Sequence, residues 1–202
     1  FDPYKDIKPL VQVSRLGLIL VGNPDLPPKT LPELTAWIKA QGKPVDYASY
    51  ATGMRAHATG LRFARLANLN LSHVGYRGSP PALQDVMGGH VPLMFDGPPT
   101  SLPLIQAGKL RAYAVVFPTR LAALPNVPTF AESGYPSLNE VGWMGLWSTP
   151  DVPASVQAKI RDATLAYMNQ PQVQKRLAEL GMESGQPLSS EELSKGLRTA
   201  AE

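Results

Sequence analysis

The chain has 202 residues, of which 44% are apolar and 17% charged. A chain of that size can bury about 70% of its unfolded surface, and the apolar share excludes a disordered protein. There is no cysteine, so disulfides, thiolate metal sites and a cysteine nucleophile are excluded together. The net charge of +3 comes from scattered lysines and arginines with no run of three, which argues against nucleic acid and suits an anionic small ligand.

No apolar run approaches the ~20 residues of a membrane span; the longest is residues 16–22. The first residue is Phe1 rather than Met, so a processed, trimmed or truncated product is expected.

Residues 15–22 read as one buried strand, stopped by the turn residues at 23–28. Thr30 and Glu33 form a capping box with Pro32 in the first turn, predicting a helix over 31–41 with Leu34, Trp37 and Ile38 on one face. Residues 45–48 are a short strand. The loop 49–55 leads into a helix over 56–67, and 71–76 alternates as the next strand. Ser79 with Pro80 opens a helix that carries Leu83, Val86 and Met87 inward and stops at Gly88. Residues 91–95 are a strand, a helix follows to Ala107, and 110–116 is a further strand. The repeated order of strand, loop and helix predicts an α/β fold with a largely parallel sheet. The 21 prolines, about twice the usual share, fall after strands and at helix starts, where no donor is lost.

Beyond residue 117, Thr129 and Glu132 form a second capping box over a short helix ending at Gly134. Residues 142–147 read as a strand, with Trp143 and Trp147 in the core. Three amphipathic helices follow, over 153–169, 171–181 and 189–202. They read as a packing layer, with Val156, Ile160, Ala163 and Tyr167 on the inner face of the first.

The loop Ser49-Tyr50-Ala51-Thr52-Gly53-Met54-Arg55 is the strongest candidate site. It joins a strand to a helix start, where backbone N–H groups and the helix dipole favour an anion. Ser49 and Thr52 add hydroxyls, and Arg55 adds a planar fork suited to a carboxylate. The alternative is an ordinary capped turn. Tyr76-Arg77-Gly78-Ser79 is a second such turn, and Asp96 ends a strand at the same edge, either capping the next helix or meeting a ligand. The three histidines, His57, His73 and His90, match no metal-ligand spacing, so no metal and no cofactor is expected. Ser49, His57 and Asp96 can be drawn as a hydrolase triad, but no Gly-x-Ser-x-Gly elbow accompanies them.

Several stretches recur together in one family. They are Leu-Val-Gly-Asn-Pro-Asp-Leu-Pro (20–27), Asp-Tyr-Ala-Ser (46–49) with Thr52, Gly53 and His57, and His-Val-Gly-Tyr-Arg-Gly-Ser-Pro-Pro-Ala-Leu (73–83). Met-Gly-Gly-His-Val-Pro-Leu-Met-Phe-Asp (87–96), Ile-Gln-Ala-Gly-Lys-Leu-Arg-Ala (105–112), Leu-Pro-Asn-Val-Pro-Thr-Phe-Ala-Glu-Ser-Gly (124–134) and Trp-Met-Gly-Leu-Trp-Ser-Thr-Pro (143–150) complete the set. In order and spacing the chain resembles the substrate-binding proteins of tripartite tricarboxylate transporters, the Bordetella uptake gene or TctC-like group.

The resemblance implies a type II-like periplasmic binding protein, with two α/β domains of mixed, mostly parallel sheets. It would be no enzyme. It would close around a small organic acid in an interdomain cleft and deliver it to the permease subunits of a membrane transporter, without spanning the membrane itself. The implied domains are 1–21 with 143–202, and 22–142, hinged near 16–22 and 142–148. The implied ligand-binding residues are Ser49, Thr52, Gly53, Met54, Arg55, His57, Tyr76 and Asp96. Tyr50, Met54 and Arg55 are bulky where the family usually places glycine and serine. In the family, a first strand and a Pro-Gly-Gly loop precede the stretch at Phe1. The first domain is therefore expected to be incomplete, and this chain alone to bind poorly. A sensory protein on the same scaffold and a small α/β hydrolase are the alternative readings.

Overall fold

The computed structural model describes residues 2 and 4–199. The apolar run expected as one strand is two: β1 (Lys8–Leu16) and β2 (Leu18–Gly22), parted at Gly17. The backbone of Val116 and the ring of Phe117 crowd Gly17, so a Cβ there would come within 2.6 Å of the Val116 carbonyl. The chain divides at this point into two compact units, Gly17–Val141 and the pair of segments Phe1–Leu16 and Gly142–Glu202.

In Gly17–Val141, β2 is followed by α1 (Leu31–Ala40), β3 (Val45–Ser49), α2 (Arg55–Ala67), β4 (Leu71–Gly75), α3 (Ser79–Met87), β5 (Leu93–Asp96), α4 (Pro98–Gln106) and β6 (Arg111–Val116). The sheet order is β4-β3-β5-β2-β6. β3 runs parallel to β4 and β5, whereas β2 is antiparallel to both β5 and β6. All the strands but β2 therefore point one way. Every residue of β2 is buried. Leu18 and Leu20 enter one core with Leu34 and Ile38 of α1 and Phe63 of α2. Ile19 and Val21 enter the other with Leu83 and Val86 of α3 and Leu102 of α4. A strand apolar on both faces needs both covered, and the helices supply the two layers.

Prolines open α1, α3 and α4. The loop after β2 is held by the Arg111 guanidinium, which donates to the carbonyls of Pro24, Leu26 and Pro28 at 2.6, 2.9 and 2.9 Å. The Thr129–Glu132 capping box forms both its bonds, at 3.0 and 2.7 Å. It closes a turn rather than the expected helix, because Gly134, at φ +93°, reverses the chain at once.

Gly60 is the glycine that packing demands in α2. A Cβ there would strike the Tyr47 ring and lie 2.7 Å from its hydroxyl, and that ring is fully buried. Glycine to alanine in an exposed helix stabilises by about 1 kcal/mol. Here overpacking reverses the sign, and Gly60→Ala is expected to destabilise by about 2 kcal/mol net. Chemical denaturation reads this directly; a variant as stable as the parent contradicts it.

The other unit contains β1, β7 (Gly142–Ser148), α5 (Ala154–Met168), α6 (Pro171–Glu179), β8 (Glu183–Ser184) and α7 (Ser190–Thr199). Its sheet, β7-β1-β8, is antiparallel throughout, so the mostly parallel expectation holds only for Gly17–Val141. The helices α5 and α6 carry the chain from β7 across to β8, and the long excursion between β1 and β7 leaves those two free to pair antiparallel. Trp143 and Trp147 stack with centroids 5.3 Å apart, yet Trp147 is exposed rather than in the core. Val156, Ile160 and Tyr167, expected on the inner face of α5, are also exposed, and Gln157 and Met168 are buried instead.

Candidate functional site

The parallel strands β3, β4 and β5 end together at Ser49, Gly75 and Asp96, and each leads into a helix start. α2 leaves β3 over one face of the sheet, while α4 leaves its neighbour β5 over the other. That divergence is the switch point at which open α/β sheets bind ligands. The N-caps of α2, α3 and α4 are Met54, Gly78 and Gly97, none with a side-chain capping bond. α1, which starts at the opposite edge, is capped by Thr30. The uncapped starts concentrate N–H donors and positive dipole ends on one edge.

The loop 49–55 is tied to the turn after β4. Tyr76 N–H donates to the Ser49 carbonyl at 3.0 Å and Gly78 N–H to the Tyr50 carbonyl at 2.9 Å. The Thr52 hydroxyl sits where a Cβ on Gly75 would lie. Gly53 takes a φ of +82° and donates its N–H to His57 Nδ1 at 3.0 Å. Met54 is 54% exposed. Arg55 donates to the Gly17 carbonyl at 3.1 Å. Burial pushes its pKa down, and the neighbouring Tyr50 hydroxyl works against that shift.

Behind the loop lies His73, which the sequence-level expectations omit. The Ser49 hydroxyl is 2.7 Å from His73 Nε2 and donates its one hydrogen to the Ala51 carbonyl at 3.1 Å. The His57 and His73 rings stack at 3.8 Å with an interplanar angle of 18°. Tyr47 packs on His73 at 5.2 Å and donates its hydroxyl to the His57 carbonyl at 3.1 Å. Burial pushes the His73 pKa down, and the adjacent His57 adds to that. Metal spacing was the wrong signal for this residue. The parallel register Tyr47↔His73 and Ser49↔Gly75 is what brings it to the loop.

Tyr76 donates its hydroxyl to Asp85 at 2.6 Å. Burial, with the Asp85 bond second, pushes its pKa up to about 12. Asp96 is 0% exposed. One of its oxygens accepts from Ser79 at 2.5 Å, and the other from Thr100 and Ser101, both at 2.6 Å. Its carboxylate thus joins the starts of α3 and α4, whereas among the described residues no buried acid lies beneath α2.

The hydrolase triad does not assemble. Ser49 bonds His73, His57 accepts from Gly53, and Asp96 is taken up by hydroxyls on α3 and α4. Among the described residues there is no cluster of three metal-ligating side chains, and no helix is long and apolar enough to cross a membrane.

Residues 1–195 match the family described as the tripartite tricarboxylate transporter family receptor. Protein BugT of Bordetella pertussis is 37% identical over 147 residues, covering 71% of this chain and 45% of that protein. A solved structure described as a periplasmic transporter superposes with a TM-score of 0.94 at 36% identity, covering 98% of this chain and 66% of its own. A protein from R. palustris, solved with adipate, does so with a TM-score of 0.93 at 26% identity over the same shares. The chain thus spans about half the length of the curated relatives it matches and about two thirds of the solved ones. It belongs to the TctC family of tripartite tricarboxylate transporter receptors, on an α/β periplasmic-binding-protein fold.

Proposed function

We propose that this chain is the carboxylate-gripping part of a periplasmic receptor, which captures a small organic acid and hands it to the membrane subunits of a tripartite tricarboxylate-type transporter. The observation that carries the reading is the start of α2. It is the uncapped helix start on the strand-end edge with no buried acid beneath it and with a guanidinium in its first turn. A ligand carboxylate there meets backbone donors, a dipole end and the Arg55 charge together. The R. palustris relative solved with adipate supports an acid of that class.

In this reading Thr52, Gly53 and Met54 present the loop to the ligand and Arg55 supplies the charge. Ser49 and His57 brace the loop from behind, Tyr76 fixes the adjoining turn, and Asp96 fixes the two neighbouring helices without touching the ligand. A thermal-shift screen of four- to six-carbon dicarboxylates on the full-length receptor, followed by calorimetry, tests it. Arg55→Ala is expected to weaken binding by about 10- to 100-fold, the worth of a charge-assisted hydrogen bond. A screen without a single shift, or equal affinities for parent and variant, overturns the assignment.

A further inference from the structure

The stacked imidazoles have no part in gripping a ligand directly, yet they hold the loop that does. We propose that His73 and His57 are positioning residues that lock the loop 49–55 in its binding shape only while both rings are neutral, making ligand capture proton-linked. This rests on the reading of 49–55 as the ligand loop.

The argument starts from donors and acceptors. Gly53 N–H donates to His57 Nδ1 at 3.0 Å. A ring nitrogen accepts a hydrogen bond only when it carries no proton, so this bond requires the Nδ1 lone pair. A proton there sets two donors face to face, and the bond is lost. At the other ring, the Ser49 hydroxyl has already given its hydrogen to Ala51. With that hydrogen on Ala51, its oxygen is assigned as the acceptor from His73 Nε2–H at 2.7 Å, the tautomer that satisfies both contacts. That leaves Nδ1 of His73 as its basic nitrogen, on a ring 3.8 Å from His57. A proton on either ring thus disturbs the stack. On His57 it breaks the Gly53 bond, and on His73 it sets a cation against the neighbouring face.

Few groups nearby offset that charge. From β3 the Tyr47 phenol faces the pair, its pKa pushed by burial up to about 12. Asp46, its neighbour along β3, turns to the opposite face of the sheet by strand alternation. From α2 comes Arg55, another cation, whose guanidinium reaches Gly17. Thr52 and Gly75 on the loop side are uncharged. Among the described residues no carboxylate hydrogen-bonds or ion-pairs with either ring. Burial and His57 both hold His73 toward its neutral form. Gly53, which the lock holds at φ +82°, is the pivot between Thr52 and Met54, so releasing it frees the loop's donors together.

The test has one arm without ligand and one with it. In the parent chain, the NMR coupling across the hydrogen bond between Gly53 N and His57 Nδ1 is expected at about pH 8 and should vanish by about pH 5. His57→Asn puts a non-titrating oxygen at the Nδ1 position, so its Gly53 amide should stay protected from exchange over that whole range. In the ligand arm, adipate affinity is compared between parent and His57→Asn at each pH, a ratio that cancels the ligand's own protonation. The parent should lose at least about threefold relative to the variant between about pH 7.5 and about pH 5.5. At about pH 7.5 His73→Ala should weaken adipate binding about tenfold and His73→Gln, which keeps the donor to Ser49, should restore most of it. A Gly53 coupling that persists at about pH 5, a flat affinity ratio, or a glutamine variant no better than alanine each overturns the proposal. Because the amide arm needs no ligand, its failure is separate from a failure of the loop as the carboxylate site.

Discussion

Asp96→Ala is expected to lower the stability of Gly17–Val141 by about 3–5 kcal/mol, the range for removing one partner from a buried charged network. The side chain is wholly buried, and its oxygens take the hydroxyls of Ser79, Thr100 and Ser101. Thr100 and Ser101 retain the Gly97 carbonyl as a second acceptor, at 3.1 and 3.2 Å, whereas among the described residues no second acceptor takes the Ser79 hydroxyl. The start of α3 should therefore loosen more than that of α4. Asparagine keeps one acceptor oxygen but turns two donors toward hydroxyls already oriented to donate, so it should recover only part of the loss. Urea denaturation of the three proteins measures this. A loss under about 1 kcal/mol for alanine, the worth of one ordinary hydrogen bond, would show that the hydroxyls find other acceptors.

Phe63→Ala is expected to cost about 4 kcal/mol, at the upper end for a fully buried aromatic ring. Phe63 is the largest side chain that α2 buries. Its ring meets Phe130 edge-on at 5.1 Å, Tyr135 at 5.4 Å and Phe95 at 6.2 Å. Truncation removes these contacts and leaves a cavity that the flanking rings, themselves held by the sheet and by the turn at 130–135, cannot close. Phe63→Leu should cost about 1–2 kcal/mol, since it refills most of the volume. The same denaturation series reads both; a loss below about 2 kcal/mol for alanine would mean that the core collapses around the site. The consequence reaches the loop 49–55, because α2 is the helix it leads into.

The local grammar of Gly17–Val141 is plain in the sequence. The helices α1, α3 and α4 begin within a residue or two of the place that proline and capping residues mark, since these signals act through their immediate neighbours. Signals that depend on distant chain are less readable. Residues 15–22 look like one strand because no polar side chain follows Arg15, and only the crowding of Gly17 by Val116 and Phe117 shows the break. Residues 8–14 pair with β7 and β8 from far along the chain, and no local pattern announces it. The loop 49–55 is visible as a strand-to-helix turn, but its bracing by His73 depends on the register of β3 against β4. Thr129 with Glu132 shows the limit from the other side, because an intact capping box starts a helix only if the residues after it continue one.

The reversed strand β2 and the break at Gly17 also bear on how the chain folds. Leu16 and Gly142 are register partners in the β1–β7 ladder, and everything between them is the other unit. Gly17–Val141 is therefore one uninterrupted stretch that serves, topologically, as the turn of a long hairpin. Closing a flexible loop of that length carries an entropy cost that rises with its logarithm, and pairings so distant in sequence form slowly. Once the inserted stretch is ordered, its ends are already delivered to each other and most of that cost has been met. The β1–β7 ladder is then expected to form after Gly17–Val141 is ordered.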